Sequence, residues 1–281
     1  LTNFERLHPA LQHHIVNSLE WRTLRSLQEQ AIEPILDGAH VLLIAPTAGG
    51  KTEAALFPIL SQILHSGQGG LSVLYICPLR ALLNNLEQRL SYYCRLVGRT
   101  CALWHGDVAQ TAKAGVFKEP PDILLTTPES IEAILVSSRV SKKAFFARVR
   151  FIVLDELHAF AADDRGWHVW YLLKRLGKLM ESEPQILGLS ATVGNPPELL
   201  SWICAHSTRA QHVISPELPA SAQSPDVKID YVGSIENAGF VISALHRGEK
   251  RLVFCDSRSQ AEQLASQLRE RNVETLSLIA R

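Results

Sequence analysis

The chain has 281 residues, 46% hydrophobic and 20% charged, with 28 Lys+Arg balancing 28 Asp+Glu. That composition excludes a disordered chain, and zero net charge excludes a protein that coats nucleic acid by bulk positive charge, so any polyanion must be met in a local groove. No apolar run reaches the ~18 residues of a membrane span, and five cysteines without a C-x-x-C pair point to reduced thiols rather than a disulfide or metal framework.

The length fits two domains. The opening Leu1-Thr2-Asn3-Phe4 has no basic n-region and no initiator Met, so it reads as a fragment boundary rather than a signal peptide, and a cytoplasmic protein is expected. Residues 9–19 and 24–36 carry helical periodicity, the second segment closed by Asp37-Gly38. Continuous Val, Ile and Leu runs at 41–44, 71–77, 100–103, 123–126, 151–155 and 186–190 suit strands buried on both faces. Helical patterns at 52–65, 79–97, 129–137, 167–180 and 196–204 alternate with them. This alternation predicts an α/β fold, a mostly parallel sheet flanked by helices. From His212 to Asp230 the pattern dissolves around Pro216, Pro219 and Pro225, as in a linker. A helix at 235–246, a strand at 252–255 and a helix at 259–271 then restart the alternation. The expected division is a domain at 1–211, a linker at 212–234 and the incomplete start of a second domain at 235–281.

The first strand runs into Ala45-Pro46-Thr47-Ala48-Gly49-Gly50-Lys51-Thr52 and then a helix, the setting of a phosphate-binding loop. Backbone N–H groups of a glycine-rich turn cradle phosphate oxygens, the lysine neutralises them, and the threonine hydroxyl ligates Mg²⁺. Ala45 departs from the strict pattern, which has glycine there. A second requirement is a carboxylate at the end of a neighbouring strand, and Asp155-Glu156 supplies two. In those roles Asp155 holds Mg²⁺ through water, and Glu156 orients and deprotonates the attacking water.

These residues resemble a known family. Asp155-Glu156-Leu157-His158 is a DExH box, and Ser190-Ala191-Thr192 follows a buried strand as does the helicase motif that couples nucleotide state to strand binding. With Thr126-Thr127-Pro128-Glu129-Ser130 and the Arg165-Gly166 pair, the ordered set over residues 20–205 resembles the large-helicase-related (Lhr) and Ski2-like branches of superfamily-two helicases. The resemblance implies a RecA-like P-loop NTPase domain followed by a truncated second one, binding ATP and Mg²⁺ and moving along nucleic acid. It implies Lys51 and Glu156 as catalytic, with His158, Ser190 and Thr192 coupling the nucleotide to the strand. Gln28, 23 residues before Lys51, takes the place of the adenine-reading glutamine, with Gln30 as the rival and a plain surface glutamine as a third reading. Pro78 and Arg80, Gly106, and Thr127, Pro128 and Glu129 fall in motifs that contact the strand backbone, which reads phosphate and sugar rather than sequence. The arginine fingers of such motors are expected in the rest of the helicase core, beyond Arg281. A translocating restriction or repair subunit and an ATP-gated clamp are the competing readings, and DNA is not distinguished from RNA.

Other features carry two readings each. Trp167, Trp170 and Tyr171 suit a packed helix face better than base stacking. The basic run Arg139, Lys142, Lys143, Arg148 and Arg150 either skirts a nucleic-acid path or is a solvated face. Adjacent His13 and His14 cannot share a helix face, which argues against a metal site.

Overall fold

A computed structural model of the chain describes residues 2–138, 141–161, 164–205, 207–216, 227–245 and 248–276. It divides into two units, Leu1–Glu217 and Leu218–Arg281.

In the first unit, a 3-10 turn at Asn3–Arg6 leads to α1 (Pro9–Asn17) and α2 (Ser26–Leu36). Then follow β1 (His40–Ile44), α3 (Lys51–Ser66), β2 (Val73–Ile76), α4 (Arg80–Leu96), β3 (Cys101–Trp104) and α5 (Gln110–Lys118). The chain continues through β4 (Ile123–Thr126), α6 (Pro128–Val136), α7 (Lys142–Phe146), β5 (Phe151–Leu154), α8 (His158–Ala161) and α9 (Asp164–Gly177). It closes with β6 (Gln185–Ser190), α10 (Pro196–Ile203) and β7 (Gln211–Ile214). The seven strands form one sheet in the order β3-β4-β2-β5-β6-β1-β7, every pair parallel.

Alternation along each strand sorts side chains into two apolar layers. Val41, Leu43, Val73, Tyr75, Phe151 and Val153 pack with α2, α3 and α4 residues such as Ile35, Ile59 and Leu90. Leu42, Leu74, Ile76, Ile152 and Leu154 pack on the other face with Ile131, Phe146, Leu172 and Leu200. Parallel strands buried on both faces explain why the sequence runs are continuously apolar. No described helix is long and apolar enough to cross a membrane.

Several elements differ from the sequence expectation, among them the unexpected helices α5 and α7. Residues 211–214, partly inside the expected linker, are strand β7, paired with β1. As an edge strand it has one neighbour, and Gln211 and His212 are exposed, so it lacks the apolar run of an interior strand. The expected helix at 167–180 begins earlier, at Asp164, and ends at Gly177. In the second unit, α11 (Ile235–Ala244) and α12 (Arg258–Glu270) pack through Gly239, Leu264 and Leu268, but residues 252–255 form no strand. Leu252 and Phe254 are exposed there, with no strand beside them among the described residues. Pro219, Pro225 and His246 lie outside the described residues.

Candidate nucleotide and strand-binding edge

In a parallel sheet all strands end on the same edge, and the chain places its candidate residues there. The phosphate loop follows β1, Asp155 and Glu156 follow β5, and Ser190 ends β6; these three strands are adjacent in the order β5-β6-β1. Backbone bonds fix the junctions: Ala45 N–H donates to Ser190 O at 3.2 Å, and Leu157 N–H to Leu189 O at 2.8 Å. Leu157 packs over Gly188, where an added Cβ would lie 2.7 Å from its Cδ2, so the glycine makes room for the DExH segment.

The loop turns through Ala48 at φ +62° and Gly50 at φ +83° before α3 begins. At Gly49 a Cβ would stand 2.7 Å from the Ala45 Cβ and 2.8 Å from Pro46 O, so only glycine closes this turn. Lys51 is buried, its Nζ donating to Ala45 O at 2.7 Å and Pro46 O at 3.1 Å. Burial lowers its pKa, opposed by the charges of Glu156 and Asp155. Arg25 donates to Ala48 O, and Gln28 ties α2 to the loop: its Oε1 accepts from Arg25 N–H at 2.9 Å and its Nε2 faces Gly50 O at 3.5 Å. Gln28 is 3% exposed, whereas Gln30 is exposed and bonded to Ser26.

Asp155 Oδ2 accepts from the buried Tyr75 hydroxyl at 2.7 Å, and Oδ1 accepts from Glu156 N–H at 2.9 Å. Burial raises the Asp155 pKa against these bonds and the Lys51 charge. Thr52 and Asp155 line the same cleft, and burial, with the Asp155 charge adding to it, drives the Tyr75 pKa well up. Glu156 has φ +49°, a left-handed conformation costing a non-glycine residue about 1–2 kcal/mol. Such strain persists where surrounding bonds hold it, and it gathers at functional loops. His158 Nδ1 lies 3.1 Å from Ser190 Oγ and 3.6 Å from Glu156 Oε2. Ser190 Oγ donates to Thr192 O at 3.3 Å, so the hydroxyl accepts from His158 and Nδ1 carries the proton. His158, Ser190 and Thr192 are thus brought together with Glu156.

The other half of the edge follows β2, β3 and β4. Arg80 Nη1 donates to Asp107 Oδ1 at 3.0 Å and its guanidinium lies over Gly106. Thr127 caps α6, its hydroxyl accepting from Ser130 N–H at 3.3 Å, with Pro128 in the first turn. Arg165 Nη2 bonds Pro78 O and Glu129 Oε1, each at 3.1 Å, joining the start of α9 to the loop after β2 and the first turn of α6.

A cleft of about 790 Å³ opens beside the phosphate loop, lined by the loop, Gln28, Asp155 and Glu156, by Trp21, Arg22, Thr23 and Arg25, and by one face of α4. Sequence reading missed Tyr75, Arg89 of α4 and the bridging of Arg165. Tyr75 had a signal, a lone hydroxyl in a buried apolar strand; Arg89 had none. Trp170 Nε1 donates to Trp202 O at 3.1 Å, packing α9 on α10, while Trp167 and Tyr171 remain 56% and 60% exposed. Arg148 and Arg150 bond Gly69 O and Gln62 at the opposite edge, away from the loop cluster. Arg139 lies outside the described residues.

A family model for DEAD/DEAH box helicases matches residues 25–200. The chain belongs to the DEAD/DEAH box helicase family. Within this helicase family its likeness runs to the Lhr branch. It is 30% identical over 269 residues to an Lhr helicase/probable uracil glycosylase of Mycolicibacterium smegmatis, covering 88% of this chain and 18% of that protein. Against the ATP-dependent helicase Lhr-Core protein 2 of Thermococcus barophilus it is 28% identical, covering 90% and 32%. A structure of Mycobacterium smegmatis helicase Lhr bound to ssDNA and AMP-PNP superposes with TM-score 0.77 at 28% identity, over 96% of this chain and 36% of that one. The chain therefore spans about a fifth to a third of these curated relatives' length, and its first unit is a RecA-like helicase lobe.

Proposed function

We propose that the chain is the ATP-binding part of an ATP-dependent helicase or translocase that moves on single-stranded nucleic acid. The observation that carries this is the convergence of two sequence-distant segments, after β1 and after β5, on one cleft, with Ser190 at the end of the intervening strand β6 bonded to Ala45 and the loops after β2, β3 and β4 on the same edge. In this reading residues 45–52 cradle the phosphates, Lys51 neutralises them and Gln28 senses adenine from the brace it forms against Gly50. Residues 1–211 form this lobe, 212–234 link it and 235–281 begin a second RecA-like domain, the linker now sharing its first residues with β7.

The donor set suits Mg²⁺: a hydroxyl and a carboxylate, Thr52 and Asp155, line one cleft, and hard oxygen ligands are what this ion takes. Thr52 and Asp155 would hold it, and the bound ion would neutralise charge on the β and γ phosphates. Glu156 receives the proton of the attacking water, held in place by Asp155 and His158. His158, Ser190 and Thr192 relay the state of Glu156 toward the strand. Arg80 offers an exposed cation, and the Pro78 turn, Gly106 and the α6 N-terminus built by Thr127, Pro128 and Glu129 offer backbone groups to strand phosphates, the Thr127 hydroxyl being buried in the cap.

The test is steady-state ATPase of the 281-residue chain against a form extended through a whole second RecA-like domain, each with and without single-stranded DNA or RNA. An arginine finger is worth about 10³–10⁵ in rate, so the shorter form should bind MgATP, hydrolyse it slowly and respond little to nucleic acid. Robust strand-stimulated turnover by the 281 residues would contradict the two-lobe reading.

A further inference from the structure

Arg89 belongs to none of the motifs read from the sequence, yet it reaches the first turn of the helix after the phosphate loop. It shares a face of α4 with Leu82, Asn85 and Leu86, and this face forms a wall of the cleft. Its Nη2 donates to Thr52 Oγ1 at 3.0 Å, and its Nε lies 3.3 Å from Glu53 Oε1. Glu53 is buried, and the Tyr93 hydroxyl donates to the same oxygen at 3.1 Å. One end of the guanidinium is thus anchored on a carboxylate that is itself fixed, while the side chain as a whole is half exposed.

A buried glutamate directly after Lys51-Thr52 needs a cationic partner, but a lysine or an interior arginine would serve that need. The structure instead spans the ion pair across to a half-exposed residue on the cleft wall. A guanidinium carries five N–H donors, of which Thr52 takes one while Nε faces Glu53 in the ion pair. Threonine oxygen has two lone pairs, so its bond from Arg89 leaves it able to accept a second interaction. A planar fork held on one side suits bidentate contact with phosphate oxygens, whereas Lys51 supplies a point charge.

We propose that Arg89 is a phosphate-binding residue of this cleft, a guanidinium set in position by Glu53 and Tyr93 that hydrogen-bonds a nucleotide's phosphate oxygens beside Lys51 and Thr52. The proposal rests on the cleft being the nucleotide site and names a further residue of it. Phosphate number is what the residue reads, so its contribution rises from adenosine to ATP.

The experiment measures equilibrium binding of adenosine, AMP, ADP and ATP, with Mg²⁺, to the 281-residue chain and to Arg89→Ala, Arg89→Lys and Lys51→Ala, with a thermal melt for each. Arg89→Ala should leave adenosine within about twofold and weaken ATP about tenfold or more, the size of a lost charge-assisted bond. Arg89→Lys, which keeps the ion pair with Glu53, should melt as the parent does and lose part of the ATP affinity. If Arg89→Ala does not fold, the ATP-to-adenosine ratio of the lysine variant decides. Equal loss for adenosine and ATP, no loss for any ligand, or tighter MgATP binding would overturn the role of Arg89. Failure of the parent chain and Lys51→Ala alike to distinguish ATP from adenosine would instead overturn the nucleotide-site reading itself.

Discussion

After β1 and β5 the chain holds Lys51 and Asp155 with backbone and buried partners, whereas the segments after β2, β3 and β4 carry Arg80, Asp107 and Glu129 in exposed ion pairs. Lys51 lies folded on two loop carbonyls, Asp155 is gripped by Tyr75 and by the next residue's N–H, and two residues of this half, Ala48 and Glu156, sit in left-handed conformations. On the other half Arg80 pairs with Asp107 at side-chain exposures of 52% and 69%, and Arg165 with Glu129 at 41% and 54%. Exposed pairs of this kind are worth about 0–1 kcal/mol, so a phosphate can displace the carboxylate at little cost. On the proposed function, the first half is the nucleotide half, preorganised for one ligand shape, and the second is the strand half, whose loosely paired Arg80 suits a site that must grip and release. Tyr75 on β2, Arg89 and Tyr93 on α4 and Arg165 on α9 are among the side chains that cross from one half to the other.

The largest expected effect tests the rigid half. Glu156→Gln keeps the shape and the bonds around Asp155 but loses the base, so MgATP binding should persist while single-turnover hydrolysis falls by about 10² or more. Hydrolysis at the parent rate would remove Glu156 from its assigned role. A smaller effect tests the loose half. Arg80→Ala should weaken single-strand binding and reduce the magnitude of the log-affinity against log-salt slope by about 0.7, the share of one phosphate contact. ATP affinity should not move; a slope unchanged from the parent would mean that Arg80 serves only its pair with Asp107.

The smallest effect concerns the frame on which both halves rest. His40 is fully buried at the start of β1, its Nδ1 accepting from Ile186 N–H at 2.9 Å and its Nε2 bonded to Ser207 Oγ at 2.7 Å. Burial lowers its pKa from 6.5, with Glu183 opposing and Arg209 assisting. Because the folded value is the lower one, its contribution is present above pH 6.5 and is lost as pH falls through the folded value. Urea midpoints should therefore drop on the acid side, and His40→Gln should flatten that drop. His105 just after β3, bonded to Asn84 and with its pKa also lowered by burial, adds to the same limb.

The sequence showed the interior strands and the contiguous motifs because each is dictated locally. Double burial demands unbroken apolar runs, and a phosphate cradle demands glycines next to Lys51-Thr52. What it hid depends on distant partners. Tyr75 is defined by Asp155, 80 positions away, and Arg89 by Thr52 and Glu53, its nearer partner 36 positions away. The short helix α5 buries only Val116, and β7 is an edge strand with a polar start, so neither has the periodicity that marks an interior element. Gln28 was legible as a candidate, but its place at the end of α2's first turn, bracing Gly50, was not.

The central claim is that the nucleotide half is assembled within this chain and is separable from the strand half. The most direct measurement is the affinity of Lys51→Ala for MgATP and, without nucleotide, for single-stranded DNA at fixed salt. Losing a charge-assisted contact of about 1.5–3 kcal/mol should weaken MgATP by about 10–100-fold, while DNA affinity stays within about twofold of the parent. Loss of both affinities together, or of neither, would contradict the claim.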